Sequence, residues 1–170
     1  MYASVTKHVT FDSAHYLLNP KWDRAKNMDH FHKCCLYKPD GTDQPHGHTY
    51  HLEVTVFGLI DPDTGFVIDF KDLKRILQEG VIEKLEHNLI NTIDYFQNKL
   101  ATAENICQYI WNEIIDPIEA VRPDAIMLES IKLYETPDSF AMLTNGMVKL
   151  ANKAQGNCGC SGCGCQKDGE

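Results

Sequence analysis

No apolar run in this chain approaches the roughly 20 residues needed to cross a bilayer, which excludes a membrane-spanning helix. Met1-Tyr2-Ala3-Ser4-Val5 lacks the charged and apolar segments of a secretory signal, so a cytoplasmic protein is expected. Nothing forms a basic stripe. Sixteen Lys and Arg stand against 24 Asp and Glu, a formal charge of −8, which argues against a nucleic-acid or anionic-membrane partner. That balance says nothing against a phosphorylated small molecule, which needs only a local pocket. Internal repeats are absent, and 170 residues with 43% hydrophobic content suit one domain with a single core. Cysteine is sparse until the end. Only Cys34, Cys35 and Cys107 precede residue 151, and in the cytoplasm thiols stay reduced or bind metal.

What is present reads as alternating strands and two helices. Val5 to Ala14 and Thr49 to Gly58 alternate apolar and polar residues, as half-buried strands do. Leu17 to Gln44 between them is polar and irregular, with turn signals at Asn19-Pro20 and Pro39-Asp40-Gly41. Asp61 to Gly65 is a turn and Phe66-Val67-Ile68 a short extended piece. Asp69 caps a helix with Leu73, Ile76, Leu77, Val81 and Leu85 at helical spacing and Gly80 as its soft spot. Thr102 caps a second, whose buried stripe is Ile106, Ile110, Ile114 and Ile118 and which Pro117 bends or ends. Ser130 to Tyr134 and Phe140 to Leu143 are the last strands. The order is β-β-α-α-β-β, an α+β class. The domain spans 1–150, and 151–170 is expected to be a flexible Gly/Cys-rich tail.

The most informative stretch is Pro45-His46-Gly47-His48-Thr49. Residues two apart on a strand share a face, so His46 and His48 stand side by side. His15 ends the first strand on the parity of Val5, Val9 and Phe11 and supplies a third imidazole. Three histidines with a fourth position open are the ligand set of a catalytic zinc site, whereas structural sites are closed by four protein ligands.

Six motifs occur in one order: Phe11-Asp12-Ser13-Ala14-His15, Cys34 upstream of His46-Gly47-His48, Gly65 to Phe70, Leu85-Glu86-His87-Asn88-Leu89-Ile90-Asn91, Thr102-Ala103-Glu104-Asn105, and Tyr134-Glu135-Thr136. Together they resemble the 6-pyruvoyl-tetrahydropterin synthase / 6-carboxy-tetrahydropterin synthase family over residues 5 to 150. The resemblance implies a tunnelling fold, an antiparallel sheet with two helices on one face that assembles into an oligomeric barrel, often a hexamer, with active sites at subunit interfaces. It implies zinc on His15, His46 and His48, and 7,8-dihydroneopterin triphosphate as substrate. It also implies Cys34 as the base, with adjacent Cys35 as its rival across a lengthened loop. The Glu86-His87 pair would transfer protons, with glutamate where the family has aspartate. Glu135 would anchor the pterin, assisted by Glu104.

Two reactions share such a site. One eliminates triphosphate to give 6-pyruvoyl-tetrahydropterin. The other also releases acetaldehyde and leaves 6-carboxy-tetrahydropterin, a step toward queuosine. The wording of Leu85 to Asn91 resembles the bacterial branch and puts the carboxy product first, while Phe31-His32-Lys33-Cys34 resembles the pyruvoyl branch. A reading from another class is a non-catalytic zinc-handling protein. It accounts for Cys158, Cys160, Cys163 and Cys165, whose close spacing suits a thiolate metal cluster, a redox-active tail or a disordered one. Cys107 is expected to be a core residue.

Overall fold

A computed structural model describes residues 1–31 and 45–156. Four strands form one antiparallel sheet in the order β1-β2-β3-β4: β1 Tyr2–His15, β2 His46–Leu59, β3 Ile126–Thr136 and β4 Ser139–Thr144. The helical segments are α1 Arg24–His30, α2 Phe70–Leu77, α3 Glu83–Leu85, α4 Ala103–Glu119 and α5 Asn145–Gly156. The α+β class holds, with strands extending further than the alternation alone indicated.

Alternation decides which face is buried. Tyr50, Leu52, Val54 and Val56 of β2, with Leu128, Ile131 and Leu133 of β3, turn to the helices and are essentially inaccessible. Against them lie Ile106, Ile110, Ile114 and Ile118 of α4, all fully buried, and Leu73 and Leu77 of α2. Each such side chain contributes about 1.5–3 kcal/mol by leaving water. β2 packs tightly at its far end. A Cβ on Gly58 would lie 2.5 Å from the Ala125 carbonyl oxygen, so this position takes no side chain.

The helix expected from Asp69 forms with its cap, Asp69 accepting from the Lys71 N–H at 2.8 Å. At the soft spot the backbone widens into a π turn, Gln78–Ile82, before α3, and Val81, Ile82 and Leu85 stay buried. Pro117 does not end α4, which runs on to Glu119.

The structure adds to or changes the sequence reading at four places. Phe66-Val67-Ile68 joins no strand. Arg122 Nη1 donates to the carbonyls of Leu59 (2.8 Å), Phe66 (3.1 Å) and Val67 (2.9 Å), so a guanidinium does the work of a neighbouring strand while Val67 and Ile68 plug the core. Within the segment read as irregular, Asp23 caps the seven-residue α1, and Asn27 is fully buried with its amide donating to the carbonyls of Asn19, Trp22 and Asp23. Its order comes from one polar side chain rather than from an apolar stripe. α5 runs across Ala151 to Gly156, and the rest of the segment read as a flexible tail lies outside the described residues. Finally, β3 bulges at Glu135, so this residue has no partner on β4.

Candidate functional site

The register of β1 and β2 builds the site. His15 pairs with His46 and Ser13 with His48, so the three imidazoles meet on the helix-covered face at one end of the sheet. Their ligand nitrogens all lie within 4.8 Å of one another. His15 Nε2 is 3.1 Å from His46 Nε2, close to the ~3.3 Å that two nitrogens on a tetrahedral zinc would keep. Buried Tyr50 floors the cluster, its ring edge-on to His15 and His48 with centroids 6.1 and 5.5 Å away.

The protonation pattern suits a cation. His15 is 2% exposed, and its Nδ1 donates to the Ala101 carbonyl at 2.6 Å. A carbonyl only accepts, so the proton sits on Nδ1 and Nε2 is bare. Burial lowers the pKa of His15, against the opposing pull of the Ala101 carbonyl and of Glu135. His46 is pushed down to about 4, by burial first and then by the imidazoles of His15 and His48. His46 Nδ1 and His48 Nε2 are buried without a hydrogen-bond partner. The donor set fits a borderline-soft divalent ion such as zinc.

Glu135 completes the cluster. The bulge aims its side chain inward, with Oε1 3.3 Å from His15 Nε2 and 4.0 Å from His48 Nε2. A bare ring nitrogen against a carboxylate oxygen again calls for a cation between them. Burial and the Glu135 carboxylate both raise the pKa of the Tyr50 phenol. Glu104, at the start of α4, shares a cleft of about 150 Å³ with Glu135, Ser139 and Ala141.

Glu86 and His87 are placed elsewhere. The His87 N–H donates to the Asp12 carbonyl (2.7 Å), and Glu86 Oε2 accepts from the Asp12 N–H (3.0 Å). Glu86 Oε1 lies 3.2 Å from His87 Nε2. His87 takes φ +56°, a left-handed conformation uncommon outside glycine, and its side chain is 77% exposed. Asp12 and Thr49, bonded to each other at 2.5 Å, sit on the opposite face of β1 and β2 from the histidine cluster. His87 lines an open cleft of about 480 Å³ with Asp12, Thr49 and Asn88, and His48 of the cluster reaches the same cleft.

Cys34 and its rival Cys35 lie outside the described residues, as do the four tail cysteines. Cys107 is a core thiol as expected, pushed up to about 12 chiefly by burial. Sequence reasoning missed Asp12 as an organiser of Glu86-His87, although it sits inside a quoted motif. It also missed the Ala101 carbonyl, a backbone group with no side-chain signal.

The sequence profile of the 6-pyruvoyl tetrahydropterin synthase family matches residues 4–145. The 6-pyruvoyl tetrahydrobiopterin synthase of Pongo abelii is 35% identical over 141 residues, covering 82% of this chain and 90% of that protein. An Archaeoglobus fulgidus protein provisionally named 6-carboxy-5,6,7,8-tetrahydropterin synthase is 41% identical over 96 residues, covering 56% of this chain and 72% of its own length. Among solved structures, Caenorhabditis elegans 6-pyruvoyl tetrahydropterin synthase superposes with a TM-score of 0.72 at 24% identity, over 85% of this chain and 96% of that one, which bears on the fold. With the profile spanning nearly the whole described sheet and every described motif inside it, this chain belongs to the 6-pyruvoyl tetrahydropterin synthase family.

Proposed function

We propose that the protein is a zinc-dependent lyase that eliminates triphosphate from 7,8-dihydroneopterin triphosphate to give 6-pyruvoyl-tetrahydropterin. The observation that carries this reading is the cluster of His15, His46 and His48 with Glu135 at 3.3 Å, on a chain whose pyruvoyl-named relative matches 82% of it. The sequence wording put the 6-carboxy product first. The match under that name covers only 56% of the chain, so the pyruvoyl reaction moves ahead and the carboxy reaction becomes the alternative.

His15, His46 and His48 would hold the metal, which when bound supplies Lewis acidity toward the hydroxyl oxygens of the substrate side chain. Glu135 accepts the two adjacent N–H donors on the pterin's 2-amino-4-oxo edge, as a carboxylate accepts an arginine fork. Glu104 lines the same cleft and adds negative charge. Cys34, as a thiolate, is the group we assign to take the proton from carbon, with Cys35 as its rival. His87 relays the proton, and Glu86 at 3.2 Å orients its ring.

Glu86-His87 docks on the Asp12 backbone at the edge of β1 while the histidine cluster sits on its helix-covered face, and this division of labour favours a site shared between protomers. The backbone edges of β4 and of β1 ahead of Asp12 supply a means of assembly, and we take the protein to be a cytoplasmic homo-oligomer, a hexamer. Catalysis is assigned to residues 1–150, the tail beyond contributing no group to this scheme. The test is incubation with dihydroneopterin triphosphate and mass analysis of the pterin. The 6-pyruvoyl product supports the proposal, the 6-carboxy product moves it to the alternative, and unchanged substrate overturns both.

A further inference from the structure

We propose that Asn105 is a positioning residue for the histidine cluster: its side-chain amide holds the Leu100–Ala101 backbone so that His15 keeps its proton on Nδ1 and presents a bare Nε2. The inference rests on the metal reading above but concerns a link that can be observed without metal.

The chain of contacts is short. His15 donates to the Ala101 carbonyl at 2.6 Å, so wherever that carbonyl points, the His15 proton follows. Ala101 is fully buried but lies in no helix or strand, so its backbone needs another support. Asn105 supplies it. Asn105 Nδ2 donates to the Leu100 carbonyl at 2.8 Å, while its own N–H donates to Thr102 Oγ1 at 3.4 Å. The Ile106 N–H closes on the Thr102 carbonyl at 2.9 Å. Residues 100–102 are thereby tied to the first turn of α4, whose isoleucine stripe anchors it in the core. A ring tautomer at the end of β1 is thus set from a helix reached some 90 residues later.

The residue type matters at 105. The contact needs a donor of this reach aimed at a carbonyl. Aspartate keeps the shape but sets an oxygen against the Leu100 oxygen, and serine is too short. Asn91 provides a useful contrast. It accepts from the Tyr16 N–H at 2.9 Å and donates to the Tyr16 carbonyl at 3.0 Å. That bracket holds the backbone beside His15, whereas the Asn105 link holds the segment whose carbonyl meets the ring.

The experiment uses the full chain labelled with ¹⁵N-histidine and stripped by chelator, reading the His15 ring nitrogens by long-range ¹H–¹⁵N correlation. Zinc affinity is measured in parallel by competition with a chromophoric chelator. Wild type should show a single Nδ1–H tautomer. Asn105→Asp and Asn105→Ser should show mixed tautomers and bind zinc ten- to a hundredfold more weakly, the usual loss when a partner behind a ligand is removed. Ile118→Val, a core change at the far end of α4, should alter neither reading. A wild-type tautomer in either folded Asn105 variant overturns the proposal, even with weakened zinc binding. If Asn105→Asp does not fold, Asn105→Ser decides alone. If wild type binds no zinc, the metal reading fails, while the tautomer readings still test the Asn105 link.

Discussion

Replacing Glu135 by glutamine probes the point where two roles converge on one carboxylate. Glu135 stands 3.3 Å from His15 Nε2 and 4.0 Å from His48 Nε2, near enough to act as a further metal ligand, yet its proposed task is to accept a pair of pterin N–H groups. The substitution keeps size and shape but exchanges one acceptor oxygen for a donor, which would face a pterin N–H. Losing one charge-assisted hydrogen bond costs about 1.5–3 kcal/mol, and every 1.4 kcal/mol is tenfold, so substrate binding should weaken roughly ten- to a hundredfold. Metal content should stay at the wild-type level, because three imidazoles remain. The assay pairs calorimetric titration with a non-reactive pterin and metal analysis of the same sample. Unchanged pterin affinity would refute the anchoring role and move the pocket toward Glu104. Loss of the metal would make Glu135 a ligand instead.

Two further outcomes follow from the same reasoning. Cys34→Ala should abolish turnover while leaving metal and substrate binding intact, since a base acts on the transition state, and Cys35→Ala should remain active; the reverse pattern in single-turnover assays would shift the base by one residue. Cys107, pushed up to about 12 by burial, is neutral in the folded state well above the pH at which an exposed thiol ionises. Its contribution to stability is therefore complete below the unfolded thiol's pKa and is lost as pH rises toward 12. Urea midpoints should fall between pH 9 and 12 less steeply in Cys107→Ala than in wild type, and parallel curves would contradict this.

The histidine cluster was legible because strand alternation is a strict rule: His46 and His48 had to share a face, and the parity of β1 put His15 with them. The isoleucine stripe and the Thr102 cap of α4 were equally readable, being local. What failed to show in the sequence depended on distant partners. Phe66 to Ile68 reads as extended until Arg122, over 50 residues away, takes up its carbonyls. α1 is organised by one buried asparagine, and helical periodicity has no purchase on seven mostly polar residues. The bulge that turns Glu135 inward is a property of strand pairing, visible only with β4 in place. The wording of Leu85 to Asn91 suggested the carboxy product, and in the structure it builds the turn that binds Asp12 and fastens the chain to β1.

The central claim is that His15, His46 and His48 form the metal site on which triphosphate elimination depends, and a zinc titration of turnover tests it most directly. Chelator-stripped protein would receive increasing zinc with excess dihydroneopterin triphosphate, free triphosphate being followed by ³¹P NMR, for wild type and His46→Ala side by side. Wild-type turnover should rise from zero to a plateau at about one zinc per protomer, and His46→Ala should stay silent throughout because two imidazoles hold zinc poorly. Full release of triphosphate by the stripped protein, or a wild-type response from His46→Ala, would contradict the account.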